Sequence, residues 1–341
     1  MGAKAFARRL LESALTPYGY SVVRSSILHE WQKPADGLPR FNARAPVPEG
    51  AQSYLQVDHP RLKELKGRYS AFDRSVTTPL LWSSDHVKPD DLLYFRGDNA
   101  YVWQLQGANM DLSGYALCAY YVKSIDRLGL LSKLVEDDYF GNFVFDIGAG
   151  RVSRDLLDSI IEIYFLDRHL GLASPAKEFS ILDIGAGYGR LAHRTLSALP
   201  NVKRYLCTDA VAESTFISEY YLRFRRLDGR AAVIPLDEIE QTLERQPVDL
   251  AINIHSFSEC RLSAIEWWLA LLARHGVKHL MIVPNNLGHG VESLLNQEGE
   301  DMRKAAERHG YRQVARDPKY ADPVVQKYAL NPTSHFLFER S

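Results

Sequence analysis

A doubly wound α/β sheet is predicted by three observations. The run Phe179-Ser180-Ile181-Leu182-Asp183-Ile184 is apolar with an acid near its end. Glycines follow at 185, 187 and 189, then Arg190 and a helical apolar pattern of Leu191, Leu196 and Leu199. That is a strand, a tight turn and a helix start, with glycines that allow φ > 0 and leave no Cβ where a ligand approaches. Second, Val202 to Asp209 is a strand ending in a carboxylate twenty positions beyond Gly189. Third, apolar runs and helical patterns keep alternating after Asp209, as in a sheet covered on both faces. In such a sheet the turn after the first strand lies at the carboxyl edge, where nucleotide ligands bind.

Lys4 to Val23 reads as a basic amphipathic helix, with Phe6, Leu10, Leu11 and Leu15 against Lys4, Arg8 and Arg9. Such a segment can lie on an anionic membrane surface, or dock on its own domain or on a partner subunit of a homo-oligomer. It lacks the h-region and cleavage site of a signal peptide. Residues 32–52 are rich in Pro, Gly, Ala and Arg and read as an irregular loop. Pro60 to Tyr69 suits a helix opened by proline. Asp91 to Trp103 predicts an extended pair turning at Gly97-Asp98-Asn99. Tyr115 to Leu134 predicts a further helix. Residues 1–140 cannot complete a doubly wound sheet, so they are expected to be a mostly helical extension acting as a lid or substrate-selecting region. Residues 141–341 carry the sheet.

Phe143 to Arg151 repeats Asp-Ile-Gly-Ala-Gly but lacks a third glycine and a following strand that ends in an acid. It reads as a loop beside the site. Ser153 then caps a strong apolar helix, Asp155 to Leu170, expected to cover the cofactor cleft. After the second strand come a helix at Ser214 to Arg226, a third strand at Ala231 to Pro235 and a helix at Asp237 to Glu244. A fourth strand at Val248 to Ile254, a helix at Leu262 to His275, a fifth strand at Val277 to Pro284 and a helix at Val291 to Arg308 follow. Tyr311 to Arg316 and His335 to Glu339 read as a closing antiparallel pair.

Two cofactor readings compete for the glycine turn. A dinucleotide fingerprint needs G-x-G-x-x-G. Here the spacing is Gly185, Gly187, Gly189, with Arg190 next. An acid two residues before the first glycine, then G-x-G-x-G, resembles motif I of S-adenosylmethionine-dependent methyltransferases. The closing antiparallel pair likewise resembles the Rossmann-like, seven-stranded layout of the class I members. The resemblance implies S-adenosylmethionine as cofactor, with Asp183 organising the loop and the methionine ammonium end. Asp209 can accept both ribose hydroxyls. Ala186, Ala210, Asp237 and Asn253 complete the expected cofactor set.

The segment Asn253-Ile254-His255-Ser256-Phe257-Ser258-Glu259-Cys260 falls after the fourth strand, beside the first. A methyl acceptor must meet the sulfonium there. A base removing the hydroxyl proton as the C–O bond forms contributes roughly 10²–10⁴ in rate. His255 suits that task, and Glu259 either orients it or is itself the base. The alternative is a polar pair that only shapes the loop. Tyr188, Tyr220-Tyr221-Leu222, His255 to Glu259 and Arg154 to Ser159 together resemble the bacterial sugar O-methyltransferase family over about residues 135–285. The resemblance implies a small-molecule sugar acceptor, with Trp103, Arg154 and Tyr188 as expected substrate residues. Polysaccharide intermediates would suit a cytoplasmic enzyme.

Charge and cysteines narrow the alternatives. With 341 residues, 46% of them hydrophobic, the chain can bury a large core. Lys+Arg 41 against Asp+Glu 42 leave formal charge −1, so no basic field points to nucleic acid. The odd, widely spaced Cys118, Cys207 and Cys260 suit a reducing compartment. No run approaches the about 18 apolar residues of a membrane span. Asp209, Asp237 and Glu259 form no obvious metal cluster. A nicotinamide oxidoreductase, a methyltransferase of another small molecule and a non-catalytic binding module remain as alternatives on the same fold.

Overall fold

In the computed structural model the run at Phe179–Ile184 forms β1, with a parallel neighbour on each side. β2 is Val202–Thr208, β3 Ala231–Val233, β4 Leu250–Ile254 and β5 His279–Val283. β6 (Tyr311–Pro318) and β7 (Ser334–Arg340) close the sheet. The order is β3-β2-β1-β4-β5-β7-β6, with β7 antiparallel to both β5 and β6. This is the doubly wound, seven-stranded α/β sheet expected from the sequence, with the last strand inserted antiparallel. β1, β4 and β5 are almost wholly buried, as is β2 from Tyr205 on, which is why they are legible as apolar runs. The structure describes residues 10–11, 13–18, 20, 41–42, 44–77, 80, 87–99, 101, 104–105, 109–148, 150–285, 290 and 292–340.

The helices follow local chemistry. α1 (Pro60–Ser70) has Pro60 in its first turn, and His59 Nδ1 accepts from the Arg61 N–H at 3.2 Å. α2 is Pro89–Leu93 and α3 is Leu112–Ile125. α4 (Arg154–Leu170) is capped by Ser153, whose hydroxyl accepts from the Leu156 N–H, and ends on Gly171 at φ 71°. α5 (Arg190–Ala198), α6 (Ala212–Phe224), α7 (Ile239–Arg245) and α8 (Leu262–Arg274) link the parallel strands. α9 (Met302–Arg308) precedes β6, and α10 (Pro323–Tyr328) lies between β6 and β7.

Four expectations are corrected. Asp91 to Trp103 does not start as an extended strand: Pro89 opens a helical turn, and Asp91 accepts from the Lys88 N–H at 3.0 Å. Tyr115 to Leu134 is not one helix. Asp126 accepts from the N–H groups of Leu130 and Leu131, and Gly129 at φ 67° starts a separate turn. Of the expected helix at Val291 to Arg308, the described residues 292–308 are helical only from Met302, because Asp301 caps there by accepting from the N–H groups of Arg303 and Lys304. The first Asp-Ile-Gly-Ala-Gly copy is a short antiparallel ladder, Phe145–Asp146 with Arg151–Val152. Most of Lys4 to Val23, and Trp103, lie outside the described residues.

The extension shares its core with the sheet. Leu62, Leu65, Phe95 and Tyr115 belong to the same apolar cluster as Leu182, Leu206 and Ile252. α1 lies against α6, where Tyr69 Oη meets Thr215 Oγ1 at 2.8 Å and Arg61 forks onto Glu219.

Candidate active site

Register brings the site together. Ile184 pairs with Thr208 of β2 and with Asn253 of β4, so Gly185, Asp209 and His255 emerge at one edge. Strand order reverses between β1 and β4, where an open α/β sheet leaves a crevice. A cavity of 940 Å³ lies there, large enough for a nucleoside ligand and a small acceptor together. Asp183, Gly185, Ala186, Gly187, Asp209, Ala210, His255 and Glu259 all line it, as do Arg154 and Tyr188.

The glycine turn is held by side chains from the neighbouring strand ends. Asp209 accepts from the N–H of Gly187 at 3.0 Å and of Val211 at 2.9 Å. A Cβ added to Gly185, at φ 72°, would lie 2.1 Å from Ser256 Oγ, whereas one at Gly187 would meet nothing nearer than Tyr101 at 3.7 Å. Gly189 packs α5 against α6, with Leu222 and Ser218 beside it. Asn253 is fully buried behind the cavity. Its amide donates to the Ile184 carbonyl and to Ser256, and its oxygen accepts from the Phe257 N–H. Asn253 therefore shapes the crevice from below. Gly185→Ala should cost about 3 kcal/mol, clash and left-handed strain combined, and Gly187→Ala nearer 1 kcal/mol. Urea unfolding checks this; equal costs would contradict the close approach of Ser256.

Burial dominates the electrostatics. It pushes the Asp183 carboxyl up to about 7, although Tyr205 Oη donates to it at 3.0 Å and Arg190 is nearby. It pushes Asp209 up to about 6 against its two backbone donors, and Glu259 up to about 7 against the Asn285 amide, which donates at 2.7 Å. Arg190 does little to neutralise them, because its guanidinium forks onto Glu162 at 2.8 and 2.9 Å. Such a cavity favours a cationic ligand, which would return the acids to their ionised form.

His255 occupies the opposite electrostatic setting. Its backbone is left-handed at φ 68°, fixed by its N–H donating to the Val283 carbonyl at 2.7 Å. Burial, then the charge of Arg154, pulls its pKa well below the usual histidine value. The imidazole is neutral at physiological pH, the form a base needs. Glu259 Oε1 accepts from the Asn285 amide and makes no hydrogen bond to His255 among the described residues, so the two stand as separate groups on one cavity. Around His255 are Asp158, which takes Arg154 Nε at 3.2 Å and Lys319 Nζ at 2.7 Å.

Two expected residues sit elsewhere or differently. Asp237 is outside the cavity, ion-paired with Arg68 at 2.8 Å, because the chain leaves β3 through a 3₁₀ turn facing α1. Tyr188 is buried among Phe95 and Tyr221, and its hydroxyl donates to Asp155. None of the described residues of the first Asp-Ile-Gly-Ala-Gly copy lines the cavity. Sequence reasoning missed Asn109 and Met110, and the wall built by Pro323, Gln326, Lys327 and Asn331. The Asp322-Pro323 step was a readable helix start: Asp322 caps α10 by accepting from Val324 and Val325.

No family model matches the chain, and no curated protein matches it. Solved structures with a related outline include magnesium protoporphyrin IX methyltransferase (ChlM) of Synechocystis PCC 6803 with bound SAH, 14% identical, covering 54% of this chain and 81% of that one at a TM-score of 0.37. The 4+2 cyclase SpnF is 13% identical, over 55% of this chain and 82% of its own, at 0.38. The O-MT region of StiE is 11% identical, over 53% and 73%, at 0.38. Among the described residues no helix is long and apolar enough to cross a membrane.

Proposed function

We propose that the chain is an S-adenosylmethionine-dependent O-methyltransferase acting on a hydroxyl of a sugar. The observation that carries the reading is the glycine turn of β1, tied by Asp209 and opening into the same cavity as His255. The donor set fits the cofactor. Asp209 borders the cavity with its carboxylate held by the Gly187 and Val211 N–H groups and by Ser214, and a ribose hydroxyl would add a further donor to its remaining acceptor site. Three carboxyls on the cavity wall, Asp183, Asp209 and Glu259, suit a ligand with a net positive charge better than the doubly negative diphosphate of a dinucleotide. When bound, the cofactor supplies an electrophilic methyl on a sulfonium.

This chain's residues would do the rest. The Gly185–Gly187 backbone and Ala186 leave room for the cofactor, and Ala210 borders the nucleoside end. His255 accepts the hydroxyl proton of the acceptor at an imidazole nitrogen. Burial, aided by the charge of Arg154, keeps that imidazole neutral beforehand. The sugar specificity is supported by the family resemblance of residues 154–159 and 255–259, and by a wall of amides and a lysine opposite the turn.

Calorimetry with S-adenosylhomocysteine and with NAD tests the cofactor. Asp209→Asn should weaken S-adenosylhomocysteine about 10–100-fold, since a charged acceptor of two hydroxyls is lost. Binding of NAD alone would overturn the reading, and unchanged thioether affinity in the folded variant would remove Asp209 from the ribose. A methyl-transfer screen over nucleotide sugars and free glycosides then tests the acceptor; turnover confined to non-sugar phenols or carboxylates would refute it.

A further inference from the structure

We propose that Arg154 and Asp155 form the receptor for the amino-acid end of the cofactor, Asp155 taking its ammonium and Arg154 its carboxylate. The inference rests on the cofactor reading above and reassigns Arg154 from the acceptor. Both residues open α4, directly after the Ser153 cap, and both line the cavity while being more than nine-tenths buried. Asp155 is locked to the glycine turn itself, because Tyr188, between Gly187 and Gly189, donates to its Oδ2. Arg96 Nε stands 3.4 Å from the same oxygen. Asp155 Oδ1 has no hydrogen-bond partner among the described residues. A buried carboxylate oxygen without a donor is costly and marks a place where a ligand completes the shell.

Position and charge select that ligand. Asp209, at the end of β2, holds the nucleoside side of the turn, so the remainder of an extended adenosyl ligand crosses the turn towards α4. There the wall presents a guanidinium and a carboxylate on consecutive residues. An α-amino-acid group carries one charge of each sign and matches that pair; a neutral sugar matches neither. Asp183, the acid expected to meet the ammonium, lines the same cavity with its Oδ2 accepting from Tyr205 Oη.

The test compares three adenosine thioethers by calorimetry: S-adenosylhomocysteine, its analogue lacking the amino group, and 5′-methylthioadenosine, which lacks the whole amino-acid end. The parent should bind the deamino analogue roughly 10–100-fold more weakly than S-adenosylhomocysteine, a measurement that needs no variant. Asp155→Asn should bind S-adenosylhomocysteine weaker by a similar factor, keep its 5′-methylthioadenosine affinity, and no longer distinguish the deamino analogue. Arg154→Gln should likewise spare 5′-methylthioadenosine. Equal binding of the two homocysteine thioethers by the parent overturns the assignment while leaving the cofactor reading intact, as does a loss in Asp155→Asn that is equal for all three. A parent that binds none of the three overturns the cofactor reading and the assignment with it.

Discussion

Arg96→Met should lower the unfolding free energy by about 3–5 kcal/mol, the cost of leaving buried carboxylates without their counter-ion. Arg96 is fully buried, although it comes from the extension. Its Nη2 donates to Glu136 at 2.7 Å and its Nη1 to Asp137 at 2.6 Å, with Asp155 at 3.4 Å. Arg194 of α5 shares Glu136 at 2.8 Å, and Arg225, after α6, shares Asp137 at 2.6 Å. Three guanidiniums and three carboxylates therefore balance in one buried network that joins the extension to the helices beside the glycine turn. Burial alone would raise the Glu136 carboxyl; Arg194 and Arg96 outweigh it and hold it at about 2. A depressed folded pKa stabilises above the ordinary carboxylate value and the contribution is lost as pH falls. The parent should thus lose stability between about pH 4.5 and pH 2, and Arg96→Met should flatten that window. Urea midpoints across pH check both. A fragment beginning near residue 141 would leave Arg194 and Arg225 buried without acids, so it should not unfold cooperatively. A stable, active fragment would show that the extension is dispensable.

That network also explains what the sequence hid. The sheet is legible because β1, β2, β4 and β5 are buried on both faces and read as apolar runs, and because glycines and a strand-end acid have fixed geometric uses. The extension is held by buried polar groups in addition to its apolar contacts. Asp98 accepts from the N–H groups of Gln104 and Leu105, and Gln104 itself bonds Asn142 and Tyr115. Such contacts leave no periodicity to read. Asp155 lies in the first turn of a helix, where an acid is favourable on dipole grounds alone. Only the fold places it against Tyr188. Asp237 was the opposite error: a strand-end acid of the right type whose chain turns outward to Arg68. Residue type and spacing locate the crevice; which way a side chain leaves the strand end depends on the turn that follows.

His255→Asn should cut turnover at least 10²-fold while S-adenosylhomocysteine affinity stays within a factor of about three, because a base acts in the transition state. Asparagine is the better test than alanine, since it tolerates the left-handed backbone at φ 68° and cannot accept a proton. The pH profile of kcat/KM, which reports the free enzyme, separates the two candidate bases. Burial and Arg154 hold His255 well below its ordinary value, so its acidic limb should lie below pH 6.5, and activity should be level through neutrality on that side. Burial sets both Glu259 and Asp183 near 7, so a limb there identifies Glu259 as the group that must ionise only when Glu259→Gln removes it. Glu259→Gln keeps the hydrogen bond to Asn285 in form and removes the titration. With His255 as the base, Glu259→Gln retains the parent's low-pH limb and most of its turnover. A limb near pH 7 that disappears in Glu259→Gln, together with near-parent turnover in His255→Asn, would transfer the role to Glu259 and leave His255 as the residue that turns the chain after β4.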